Sequence, residues 1–133
     1  MTETLTINGA VPIVPFSDPR AGIRWLEEAF GATPSLLVPA EADQPLQHAE
    51  VKIGTGIVMI DDADCTDSPF ALAGPVVVYV VVDDPDALHD RAAAAGAEII
   101  MELTDQDYGS REFGARDPHG NVWCFGTYRP RVG

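Results

Sequence analysis

Basic residues are scarce in this chain. Eight lysines and arginines stand against 21 aspartates and glutamates, a formal net charge of −13 over 133 residues. That balance excludes nucleic-acid binding, because phosphate contacts need Lys and Arg to displace counterions. A surface this negative favours solubility and speeds the approach of a cationic partner. Long apolar runs are also missing: nothing approaches the roughly 20 residues of a membrane helix. The opening MTETLTINGA has neither a basic region nor an apolar signal core, which points away from secretion and toward the cytoplasm. Only two cysteines occur, Cys65 and Cys124, without metal-type spacing, and they read as free thiols of a reducing compartment.

What the chain does contain is a repeat. Residues 11–32 read VPIVPFSDPRAGIRWLEEAFGA, and residues 76–97 read VVVYVVVDDPDALHDRAAAAGA. Each is an apolar strand, an Asp-Pro helix start, about three helical turns and a closing Gly-Ala. Asp suits the N-cap, Pro the first helical position, and Gly31 and Gly96 the left-handed position past a helix end. Ile23, Leu26 and Phe30 recur at helical spacing in the first copy, and Leu88, Ala92 and Ala95 in the second. Strand signals follow each helix, at 35–38, 48–53 and 57–61, then at 98–103, 110–116 and 122–128. The expected organisation is one domain, 1–133, of two strand-helix-strand-strand-strand modules, about 8–61 and 76–129. The acidic and then Pro- and Gly-bearing segment 62–75 is the linker between them. Its aspartates do not match the spacing of a calcium loop.

The stretch HAEVKIGTGIVMIDD, residues 48–62, reads as a hairpin turned at Gly54-Thr55, since a type II′ turn wants Gly first. That turn pairs Ile53 with Gly56, Val51 with Val58, Glu50 with Met59 and His48 with Asp61. Alternation then gives one apolar face of Ala49, Val51, Ile53, Val58 and Ile60, and a second face of His48, Glu50, Lys52, Ile57, Met59 and Asp61. The last hairpin turns at Asp117-Pro118-His119-Gly120. If Arg116 opposes Asn121, Gly114 opposes Trp123 and Phe113 opposes Cys124. Arg111, Phe113, Val122 and Cys124 then share a face opposite Trp123 and Phe125.

The repeat and the ending REFGARDPHGNVWCFGTYRP together resemble the vicinal oxygen chelate superfamily, which includes glyoxalase I, extradiol dioxygenases and bleomycin-resistance proteins. HAEVKIGTGIVMIDD and YGSREF are most similar to the bleomycin-resistance and PhnB-like branches. The resemblance implies an α+β fold of two βαβββ modules forming a curved, cup-shaped mixed sheet with helices on the convex side. It also implies a ligand in the concavity, often between two chains of a homodimer. Metal-using members place His, Gln or Glu near the start of each module's first strand and in each last strand. Those positions fall here on Val11, Val78, Met59 and Cys124. Valine cannot coordinate, and thioether and thiol are soft ligands for a hard divalent ion. No metal and no cofactor is therefore expected.

The expected partner is a small molecule, held by His48, Glu50, Met59, Tyr108, Arg111, Phe113 and Cys124. His48 and Glu50 are either polar anchors for it or two ligands of a displaced metal site that lacks a third. Cys124 is either a packed strand residue or a nucleophile served by Arg111. His89 and His119 read as solvated. Trp25 and Trp123 either stack on a planar ligand or fill the core. The function these features point to is metal-free binding of the bleomycin-resistance type, sequestering a cationic or aromatic antibiotic-like ligand. The alternative is a glyoxalase-, isomerase- or dioxygenase-like enzyme using an atypical metal site or Glu50 as general base.

Overall fold

The computed structural model describes residues 10–65 and 74–130, so much of the expected linker lies outside the described residues. The elements run β1 (Ile13–Phe16), α1 (Pro19–Phe30), β2 (Thr33–Val38), β3 (His48–Ile53), β4 (Gly56–Asp62), β5 (Val77–Val81), α2 (Pro85–Ala94), β6 (Glu98–Asp105), β7 (Arg111–Arg116) and β8 (Val122–Gly126). This is βαβββ twice, an α+β fold. The strands form two open four-stranded sheets with the same plan, β1-β4-β3-β2 and β5-β8-β7-β6. In each, the first strand lies parallel to the last and the other pairings are antiparallel. None of the described helices is long and apolar enough to span a membrane.

Local chemistry starts both helices alike. The Asp18 carboxylate accepts from the Ala21 backbone N–H, and the Asp84 carboxylate from that of Ala87; Pro19 and Pro85 occupy the first turns. Gly31 ends α1 at φ 68°, and Gly96 follows α2 at φ 86°. Arg91 of α2 donates to the carbonyls of Glu27 and Glu28, where α1 ends. A cation there opposes the negative end of the helix dipole and ties the modules together.

The helices pack against each other and against one face of each sheet. One apolar cluster takes in Val14, Leu26, Val51 and Ile60 of the first module and Ala92, Phe113, Trp123 and Phe125 of the second. Trp25 and Phe30 bridge the modules from α1. The Trp25 ring lies 6.2 Å from that of Trp123, and Phe30 stacks on Phe125 at 4.3 Å. Both tryptophans thus serve the core. The second face of each sheet turns away from the helices and leaves Ile13, Leu36, Val38, Ile57, Val77 and Val81 exposed.

The first hairpin has the expected register, His48 to Asp61, Glu50 to Met59 and Val51 to Val58, with Gly54 at φ 57°. The second does not. Arg116 pairs with Val122, Ala115 with Trp123, Gly114 with Cys124 and Phe113 with Phe125. Between Arg116 and Val122 the turn holds five residues, Asp117 to Asn121, where the expected pairing of Arg116 with Asn121 leaves four, Asp117 to Gly120. The cause is the Asp117 side chain. Its Oδ1 accepts from the backbone N–H groups of His119, Gly120 and Asn121, at 2.9, 3.0 and 3.0 Å, and winds an extra residue into the loop. One residue of slip exchanges every side chain between faces.

A candidate ligand site on the outward sheet faces

Cross-strand pairing lays the outward faces out in rows. On the first sheet, Ile13, Met59, Glu50 and Leu36 form one row, and Pro15, Asp61, His48 and Val38 the next. On the second, the matching rows are Tyr79, Cys124, Gly114 and Met101, then Val81, Gly126, Glu112 and Thr104. Met59 therefore corresponds to Cys124, and His48 to Glu112.

The first-sheet group is polar at its centre and apolar at its rim. His48 sets Nδ1 3.1 Å from Asp61 Oδ1 and Nε2 3.8 Å from Glu50 Oε2. All three side chains are about one-third exposed. The carboxylates flank opposite edges of the imidazole, so they hold the ring in place but do not converge on one ion.

The second-sheet group is more enclosed. Glu112 is 4% exposed and accepts a 2.8 Å hydrogen bond from the Tyr108 hydroxyl. Tyr79 donates to the Tyr128 carbonyl at 2.8 Å, and Ser110 Oγ accepts from the Tyr128 N–H at 3.1 Å. Gly126 makes this crowding possible. A Cβ there would stand 2.6 Å from the Tyr79 oxygen and 2.7 Å from Glu112 Cγ. Burial pushes the Cys124 thiol up to about 11, helped by the charge and hydrogen bond of Glu112. That keeps it protonated near neutrality and a poor nucleophile. Burial also raises Tyr79, and the hydrogen bond to Glu112 holds Tyr108 up at about 12.

A raised tyrosine contributes stability below its ordinary value near 10 and loses that contribution as pH climbs toward 12. Tyr108 is 60% exposed, so solvent screens most of the effect. In an alkaline absorbance titration, the component lost in Tyr108→Phe should ionise near 12, and Glu112→Gln should bring it back toward 10. Ionisation of that component near 10 in the unmodified protein would contradict the contact.

An apolar cavity of about 420 Å³ lies between the β3–β4 turn and the edge strand β5. Phe30, Val78, Leu88 and Phe125 line it from the core side, and Tyr79 and Val81 from the outward side of β5. The size suits a small organic ligand.

Of the expected site residues, the structure keeps His48, Glu50 and Met59 together on one outward face and Cys124 and Tyr108 beside the other. Phe113 and Arg111 depart because of the register change. Phe113 is fully buried, stacked 5.0 Å from Phe125. Arg111 forks onto Asp86 of α2 at 2.7 and 3.1 Å and also reaches Asp105 at 3.1 Å. It fastens β7 to the start of α2, and its hydrogen bond, helped by its charge, holds Asp86 below the ordinary carboxylate value. Arg111 is thus not placed to serve Cys124. His89 is not solvated either. Its ring lies edge-on to Phe113 at 5.3 Å and bonds Asp90 and Glu102, with Asp90 the larger cause of a raised affinity for its proton. His119 Nδ1 accepts from the Ser17 N–H at 3.1 Å, across the modules. Val78 pairs with Trp123 and packs on the core. The first-strand residues beside Met59 and Cys124 are instead Ile13 and Tyr79.

Ile13, Met59, Tyr79 and protonated Cys124 are the wrong donors for the hard divalent ion that metal-using relatives hold. Among the described residues, no group of three or more His, Cys, Asp and Glu side chains converges for a metal ion. Sequence reasoning missed Glu112, Tyr79 and Ser110. The signal for Glu112 was the alternation of REFGAR itself, with Phe113 and Ala115 inward.

Comparison with known proteins agrees with this plan. Residues 8–125 match the model of the Glyoxalase/Bleomycin resistance protein/Dioxygenase superfamily. An uncharacterized protein of Mycobacterium tuberculosis (strain ATCC 25618 / H37Rv) is 32% identical over 93% of this chain and 78% of its own length. The crystal structure of TioX from Micromonospora sp. ML1 is 31% identical, covers 95% of this chain and 100% of that one, and superposes with a TM-score of 0.75. The bleomycin-binding protein of bleomycin-producing Streptomyces verticillus, solved with copper(II)-bleomycin, shares the fold at 23% identity, with a TM-score of 0.68 and 95% and 100% coverage. The chain belongs to the glyoxalase/bleomycin resistance protein/dioxygenase superfamily.

Proposed function

We propose that this protein is a metal-free binder of small organic molecules, gripping an aromatic or cationic antibiotic-like ligand on the outward faces of its sheets. The observation that carries this reading is the quartet Ile13, Met59, Tyr79 and Cys124, paired across the first and last strands of the two modules. An aliphatic chain, a thioether, a phenol and a protonated thiol pack well on a guest and poorly around a hard cation. The apolar cavity beside β5, which shares Tyr79 with the quartet, supports it, and so does the net charge of −13, which favours positively charged guests. The bleomycin complex of the Streptomyces verticillus neighbour shows that the fold can carry such a ligand.

The working unit is a homodimer in this proposal. Each outward face is amphipathic and bears exposed apolar side chains, and β1 and β5 are sheet edges. A second copy would cover both and enclose the ligand. The test is a thermal-shift panel of bleomycin-type and other flat, cationic compounds, with sedimentation of the same sample. The expected results are a rise of several degrees with at least one compound, on the linkage expected for ligand well above its Kd, and twice the monomer mass. A melting temperature unmoved across the panel overturns the binding reading.

A further inference from the structure

We infer that Glu112 is the anchor for a single positively charged nitrogen on the ligand, a primary ammonium or guanidinium, and that the Tyr108 hydroxyl occupies its place in the free protein. The inference rests on the small-molecule reading above. A buried carboxylate is normally paired with a cation, because hydrogen bonds to neutral donors only partly replace the water it gave up. Glu112 is 4% exposed, yet none of the ion pairs among the described residues includes it. The nearby arginines are committed elsewhere: Arg111 to Asp86 and Asp105, Arg116 to Glu98, and Arg129 to Asp83. What Glu112 does have around it is neutral, namely the Tyr108 hydroxyl at 2.8 Å, the Tyr79 and Ser110 hydroxyls packed across Gly126, and the Cys124 thiol.

Tyr108 is the removable member of that group. It sits in the loop between β6 and β7, is 60% exposed, and rests edge-on against Tyr128 at 6.0 Å. Swinging it out costs one hydrogen bond and uncovers a carboxylate oxygen at the face where the ligand is proposed to lie. An incoming N⁺–H group makes a stronger, charge-assisted bond to that oxygen than the phenol does. The two exposed rings then stand beside the cation, as aromatic faces do around ammonium groups.

The experiment is calorimetric titration of the unmodified protein, Glu112→Gln and Tyr108→Phe with daunorubicin, a flat aromatic with one primary ammonium, and with its N-acetyl derivative. The expected result is at least tenfold weaker binding of the acetylated compound by the unmodified protein, the size of one charged hydrogen bond. Glu112→Gln should bind the two compounds alike, and Tyr108→Phe should bind the free amine several-fold more tightly. If Glu112→Gln does not fold, the Tyr108→Phe result decides, with unchanged amine affinity overturning the inference. Equal binding of both compounds by all three proteins overturns the anchor and leaves the binding function standing. No binding of either compound to the unmodified protein overturns the anchor for this ligand class. A shift with other members of the thermal panel would then still support the wider reading.

Discussion

Asp117→Ala should cost on the order of 4 kcal/mol or more, a large share of the 5–15 kcal/mol that holds a domain of this size together. The carboxylate is 4% exposed and is shared by five donors. Oδ1 takes the three turn N–H groups, while Oδ2 takes Asn121 Nδ2 and Trp123 Nε1, both at 2.9 Å. Removing it strands the buried indole N–H outright, at about 1–3 kcal/mol, and loosens the loop that sets the β7–β8 register. The loss spreads further, because Asn121 also clasps the modules. Its Nδ2 donates to the Pro15 carbonyl at 2.8 Å, and its Oδ1 accepts from the Val76 N–H at 3.0 Å. Denaturant unfolding followed by tryptophan fluorescence is the check. A cost below about 1 kcal/mol would mean that the turn does not depend on this carboxylate.

Phe113→Ala is the second large effect, expected at about 3–5 kcal/mol, the range for deleting a buried aromatic ring. The ring has no exposed surface, stacks on Phe125 at an interplanar angle of 20°, and meets His89 edge-on. This substitution separates the two registers of the last hairpin. A ring at the mouth of a binding site would leave stability within about 1 kcal/mol and weaken ligand binding instead. A buried ring does the reverse: folding suffers, and the binding that survives in the folded fraction is little changed. Equilibrium denaturation of Phe113→Ala beside Tyr108→Phe gives the contrast within one experiment.

The same hairpin marks where the sequence stops being legible. Both helices could be located because their signals are local: an Asp-Pro start and a Gly after the last turn. The β3–β4 register was legible for the same reason, since Gly54 alone sets a two-residue turn. The β7–β8 register depends on how a side chain folds back over its own loop. Asp117 accepts from residues two, three and four positions ahead, and this adds the fifth turn residue. From that one residue follow the misplacement of Arg111 and Phe113 and the omission of Glu112. Tyr79 was hidden differently. VVVYVVV is apolar on both faces, so alternation gives no direction to any member of it, and only the pairing with Cys124 does. His89 looked like a surface residue of α2 because its partners, Phe113 and Glu102, lie on strands far along the chain. Of the candidate site, the first-sheet half of His48, Glu50 and Met59 was thus readable, and most of the second-sheet half was not.

The central claim is that this chain grips a guest with organic side chains and needs no ion to do so. The most direct measurement is a pair of titrations with the strongest compound from the thermal panel. One uses protein as purified and the other protein dialysed against a chelator, with the metal content of both determined by elemental analysis. The account predicts less than a tenth of an equivalent of any divalent transition metal in the purified sample, and binding constants that agree within about twofold, a difference of roughly 0.4 kcal/mol. A stoichiometric divalent metal whose removal abolishes binding, and whose return restores it, would contradict it.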